Sequence, residues 1–169
     1  MNDFHKALNY INEKLYKPNN LKVTEIQEEK QNSKYGAGIF KLEFKSIRFR
    51  VAHVTPTKIG QFVAIWEKDK DKKNIPFSYE KAPDLLVINT FKNETEFGQF
   101  VFPKDLLLKK NILSSNSNTG KMAIRVYPVW DKPTSKQAMQ TQTWQLPYFV
   151  DMSNPGPESL ERLKKLYLL

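Results

Sequence analysis

Glu43, Phe44 and Lys45 set a carboxylate and an ammonium two positions apart in the run GIFKLEFKS. On a β-strand alternate residues share a face, so the two groups would project together. Two carboxylates holding Mg²⁺, with a lysine that orients the attacking water or offsets charge building at phosphorus, make a metal-dependent nuclease site. Glu28 on the preceding segment is the second carboxylate of that arrangement, with Glu25 and Glu29 as alternatives in the same run. Any alternating strand of mixed charge also produces Glu-x-Lys. A solvated, salt-bridged face is therefore the reading to prefer. A second placement starts at Pro83-Asp84, but the next strand offers Gln99-Phe100-Val101 where Glu-x-Lys is needed. Pro83-Asp84 then reads as a turn entering a strand.

Other chemistries lack their residues. The chain has no cysteine, which excludes thiolate catalysis, disulfides and cysteine-based zinc sites. His5 and His53 stand far apart without metal-ligand spacing, and His53 reads as an ordinary strand residue. Gly120-Lys121 has the end of a phosphate-binding loop. Ser115 occupies the position of its first glycine, however, and Met122 that of its magnesium-binding hydroxyl. There is no dinucleotide fingerprint and no Gly-x-Ser-x-Gly elbow. No metal or cofactor is expected unless the Glu28, Glu43 and Lys45 arrangement holds Mg²⁺.

Charge is the stronger signal. The 169 residues include 27 Lys and Arg against 18 Asp and Glu, a formal charge of +9 that favours a polyanionic partner. Nucleic acid, and DNA in particular, is the expected one. The candidate phosphate contacts are Lys41, Lys45, Arg48, Arg50, Lys58, Lys104, Lys109, Lys110, Lys121, Arg125, Lys132 and Lys136. Five engaged phosphates would give log affinity a slope of about −4.5 against log salt. Tyr127, Trp130 and Trp144 are the aromatics able to stack on bases, with core packing as the competing role. The N-terminal stretch lacks a secretory pattern and no apolar run approaches spanning length. A cytoplasmic protein without a membrane partner is the expectation.

These residues need elements to carry them. Asn2 or Asp3 caps a first helix in which Phe4, Leu8, Ile11 and Leu15 recur at helical spacing until Pro18. LKVTEIQEE alternates weakly. GIFKLEFKS reads as one strand with Phe40, Leu42 and Phe44 inward. IRFRVAHV puts Ile47, Phe49 and Val51 on one face, leaving Arg48 and Arg50 on a basic one. QFVAIW, apolar throughout, is a strand covered on both sides, and EKDKDKK after it is a solvated loop. DLLVINTF and FGQFVF are further strands. Pro103 opens a helix, KMAIRVYPVW is a strand, TSKQAMQTQTW is helical, and Pro157 starts a last helix. The fold class is α+β (mixed α/β), a single domain over residues 1–169 with one curved mixed sheet flanked by helices.

The stretches FRVAHVTPTKIGQFVAIWEKD, FGQFVFPKDLL and GKMAIRVYPVWDKP together resemble the MepB-like family. The similarity runs from the first helix to beyond Trp144. It implies a sheet-and-helix core similar to the restriction-endonuclease-like fold. It also implies a link to multidrug efflux, since the family is named for a protein encoded beside an efflux pump. Fold likeness does not bring nuclease chemistry with it. The leading expectation is therefore a DNA-binding relative of that fold without catalysis. The alternatives are the Mg²⁺-dependent nuclease above and a cytosolic accessory protein of drug efflux.

Overall fold

A computed structural model describes residues 1–169. The chain starts with α1 (Phe4–Ile11), capped by the Asp3 carboxylate, which accepts from the Lys6 amide. The helix continues through a π-helical turn (Asn12–Tyr16) and a 3₁₀ turn containing Pro18. Asn20, at φ 57°, ends it. Phe4, Leu8, Ile11 and Leu15 are all buried, as the helical spacing requires.

The strands follow as β1 (Val23–Glu28), β2 (Gly38–Leu42), β3 (Lys45–Val51), β4 (His53–Val54), β5 (Gln61–Ala64), β6 (Trp66–Lys68), β7 (Asn74–Pro76), β8 (Leu85–Phe91) and β9 (Phe97–Pro103). Then come α2 (Lys104–Lys109), β10 (Ala123–Val126), α3 (Lys136–Gln145), β11 (Phe149–Asp151) and α4 (Pro157–Tyr167). The architecture is mixed α/β. A six-stranded mixed sheet runs β1-β2-β3-β8-β9-β11, and a three-stranded sheet, β10-β5-β4, joins it together with the small β6-β7 hairpin. All neighbours in the large sheet are antiparallel except β3 and β8. A parallel pair needs a long crossover, and residues 52–84 provide it while carrying β4 to β7.

Both faces of the large sheet are covered at its centre, while the edge strand β1 is largely exposed. Phe40, Ile47, Phe49 and Val87 meet α1 and α4 on one side. Leu86, Ile88, Phe100 and Phe102 meet Val63, Ile124, Leu107 and Ile112 on the other. β8 consequently has six buried residues out of seven. QFVAIW fits its expected role too, since β5 is the middle strand of the small sheet.

Two local expectations change, and one strand is unforeseen. GIFKLEFKS is not one strand: Leu42 pairs with Lys45, so Glu43 and Phe44 form a two-residue hairpin turn. Glu43 takes φ 53° there, and Phe44, expected inside, is 72% exposed. EKDKDKK is partly ordered as a hairpin end, where the Asp69 carboxylate accepts from the amides of Asp71 and Lys73. β11 carries no strong signal in three residues, and its pairing with β9 supplies what propensity does not.

Candidate anion-binding cleft

The carboxylates come first. Glu28 lies opposite Gly38, whereas Glu43 lies beyond Leu42, five residues further along β2. At strand spacing that is roughly 16 Å, too far to share a metal ion. Each carboxylate is also otherwise engaged. Glu43 Oε1 accepts from the Lys22 amide at 2.8 Å, tying the hairpin turn to the start of β1. Glu28 lies 3.8 Å from His5 Nε2, and Glu25 pairs with Lys41 at 3.5 Å. The structure therefore does not bring Glu28, Glu43 and Lys45 together. Their apparent alternation is interrupted by a turn. Asp84 accepts from the amide and hydroxyl of Ser46 at 2.9 and 3.0 Å. The Ser46 amide in particular holds its carboxyl below the ordinary range. This is the strand-entry role expected of Pro83-Asp84.

Arg48 and Arg50 are corrected as phosphate contacts. They do point away from Ile47, Phe49 and Val51, but that face meets the second layer rather than solvent. Arg50 is fully buried. Its Nη1 donates to Glu29 at 2.8 Å and to the Phe49 carbonyl at 2.9 Å. Its Nη2 donates to Asn32 Oδ1 at 3.0 Å and its Nε to the Ala64 carbonyl at 3.1 Å. Asn32 Oδ1 also accepts from the Trp66 amide. Arg48 reaches both Glu29 oxygens at 3.3 Å and lies 3.5 Å from the centre of the Phe77 ring. Burial pushes the Glu29 carboxyl up, but the two guanidiniums outweigh it and leave the pKa below its ordinary value. This clamp joins the segment after β1 to both sheets. Nothing in the spacing of Glu29, Asn32 and Arg50 announces it.

The remaining cations do not share one surface. Lys41 and Lys45 sit at the β2-β3 hairpin, and Lys104 lies 4.6 Å from the Tyr79 ring. Lys109, Lys132 and Lys136 are exposed. Lys132 Nζ donates to the Val129 carbonyl, and Lys136 begins α3. The expectation of a single basic sheet face fails, because the face carrying Arg48 and Arg50 lies under the second layer.

Four of the predicted cations do meet. Lys58, Lys110, Lys121 and Arg125 line an open cleft of about 620 Å³ between β10, α3 and the turn before β5. No Asp or Glu lines it, and none of the four cations is ion-paired. From Lys104 to Val150 the chain carries seven Lys or Arg against only Asp105 and Asp131, so the imbalance is regional. Like charges gathered without counterions raise the local potential and favour an anion.

Local chemistry positions each part. Lys121, two residues before β10, and Arg125 within it both line the cleft. Arg125 Nη1 donates to Thr55 Oγ1 at 3.0 Å, to the Gly60 carbonyl at 3.2 Å and to the Ile59 carbonyl at 3.4 Å. Nε and Nη2 remain for a ligand. Gly60 adopts φ 86°, and a Cβ there would come within 2.6 Å of the Tyr127 ring. Gly120 presses against the Ile112 carbonyl, and the next amide, Lys121, donates to that same carbonyl. The far wall is pinned by glutamines. Gln145 donates to the Arg125 carbonyl and accepts from the Tyr127 amide, satisfying the open edge of β10. Gln142 donates to the carbonyls of Pro128 and Asp131. Gln142 and Gln145 lie three apart on one helix, which is the sequence signal for a shared face.

The aromatics take their core roles. Tyr127 is buried, Trp130 meets Phe149 edge-on, and Trp144 packs on Phe102 with Lys110 Nζ 5.2 Å from its ring centre.

No helix is long and apolar enough to cross a membrane. No curated protein matches the chain. The MepB-like family model matches residues 29–151, which include the Glu29 clamp and the whole cleft. A solved structure described as the crystal structure of MepB is 39% identical, with a TM-score of 0.77. That match covers 90% of this chain and 97% of the other. Matched over most of its length by both comparisons, the chain belongs to the MepB-like family.

Proposed function

We propose that this protein binds nucleic acid, DNA in the first instance, by gripping phosphates in the cleft of Lys58, Lys110, Lys121 and Arg125. The observation that carries the reading is the convergence of four unpaired cations on a concavity that no carboxylate lines. Arg125 suits the role best. Its guanidinium is oriented by Thr55 and the Gly60 carbonyl and still has two donor nitrogens to offer a phosphate. The reading is of a binder without catalysis, a relative of the restriction-endonuclease-like fold that has kept a phosphate grip and not the carboxylate pair.

The test is an affinity series across salt with a labelled oligonucleotide. Four engaged phosphates give log affinity a slope of about −3 to −4 against log salt, and Lys121→Ala reduces its magnitude by about one. Binding that ignores salt, or that the Lys121→Ala and Arg125→Ala variants retain in full, refutes the proposal.

A further inference from the structure

Resting on that nucleic-acid reading, we infer that the cleft takes a single strand in preference to a duplex and grips it without regard to base identity. Two observations carry this. The first is shape. At about 620 Å³ the cleft has the size of a small-molecule pocket, which suits a few nucleotides of flexible chain. Its floor, β10, is held beneath the α3 wall by Gln145, so Arg125 and Lys110 sit half-buried within the cleft while Lys58 and Lys121 are exposed at it. A duplex is wider than its own roughly 12 Å major groove and keeps its phosphates on a stiff convex cylinder. It would rest on the rim, within reach of Lys58, and leave Arg125 unsatisfied. A single strand bends into the concavity and reaches Lys121 and Arg125 together.

The second observation concerns the aromatics. Single-strand binders that favour particular bases commonly use free aromatic faces or base-edge hydrogen bonds. Here both Tyr127 and Trp144 line the cleft, but Tyr127 is buried and Trp144 is half-buried, packed on Phe102 with the Lys110 ammonium 5.2 Å from its ring centre. With both rings committed to packing, the phosphates supply the affinity, and phosphates carry no sequence information.

The experiment is fluorescence anisotropy on the full chain at low salt. The probes are dT and dA 20-mers, an RNA 20-mer of U, and a mixed-sequence 20-base-pair duplex. The expected result is at least tenfold tighter binding of the single strands than of the duplex. The three homopolymers should agree within about threefold, and Arg125→Ala should weaken all of them together. Duplex binding as tight as single-strand binding overturns this inference and leaves the nucleic-acid reading standing. A tenfold or larger spread among homopolymers overturns the base-independent part. Failure to bind any probe removes both the inference and the function on which it rests. Arg125→Lys keeps the charge and guards against a folding artefact. If Arg125→Ala alone lost its near-native unfolding midpoint, the comparison would pass to Lys121→Ala, whose side chain is exposed.

Discussion

Replacing Arg50 by methionine separates the buried role of this residue from the phosphate-contact role its sequence position suggests. The substitution keeps most of the side-chain volume and removes the guanidinium, and with it hydrogen bonds to Glu29, Asn32, the Phe49 carbonyl and the Ala64 carbonyl. Breaking one partner of a buried ion pair costs about 3–5 kcal/mol, because the other charge is left uncompensated. Glu29 keeps Arg48 as a partner and is 16% exposed, which places the cost near the lower end, about 3 kcal/mol. That is a large share of the roughly 5–15 kcal/mol that stabilises a typical domain. In urea, with a slope of about 2 kcal/mol/M, the midpoint falls by about 1.5 M, followed through the fluorescence of the three tryptophans. Adding Glu29→Gln recovers part of the loss, and the double-mutant cycle gives the coupling. At urea-free conditions where Arg50→Met remains folded, its oligonucleotide affinity and salt slope match the wild type. A stability loss below about 1 kcal/mol, or a salt slope reduced in the folded variant, would refute the reasoning.

Acid should act on the same clamp. The Glu29 carboxyl is held below its ordinary value of 4.5 when folded, so its contribution is present above that pH and fades as pH falls through the folded value. Urea midpoints of wild type and Glu29→Gln should differ at pH 7, and the difference should shrink as pH falls below 4.5 through the folded value. Gly60→Ala forces a side chain onto φ 86° and into the Tyr127 ring, for a loss of about 1–3 kcal/mol. It should also weaken oligonucleotide binding, because the Gly60 carbonyl orients Arg125. Thermal unfolding and anisotropy read the two effects separately. Gln145→Leu leaves the Arg125 carbonyl and the Tyr127 amide without partners at a buried edge, costing about 2–3 kcal/mol by urea titration.

Much of the fold was legible because periodicity and burial coincide. Phe4, Leu8, Ile11 and Leu15 read as a helix face and are one, and the unbroken apolar run of β8 reads as a strand covered twice and is. The errors have two causes. Alternation in Arg48-Phe49-Arg50 correctly separates two faces, but it does not say what lies over the second one. Here Phe77 and the Glu29-Asn32 segment cover it, and a basic face becomes a buried clamp. Glu43-Phe44-Lys45 failed for a local reason, since a two-residue turn of Glu and Phe lacks the Gly or Asn that usually marks one. The regional charge imbalance that forms the cleft was visible in Lys110, Lys121 and Arg125. Their meeting with Lys58 depends on the β5-β10 pairing, which links residues some sixty positions apart.

That pairing has a thermodynamic consequence. The cleft draws one cation from the crossover, one from the end of α2, one from the segment before β10 and one from β10 itself, so no single element or short segment contains it. A ligand that needs all four recognises only the folded chain and so draws the folding equilibrium toward it. At a ligand concentration one hundred times Kd, that linkage adds about 2.7 kcal/mol, nearly the whole of what removing Arg50 takes away. Occupancy of the cleft would thus rescue a weakened clamp on the opposite flank of β5 without touching it.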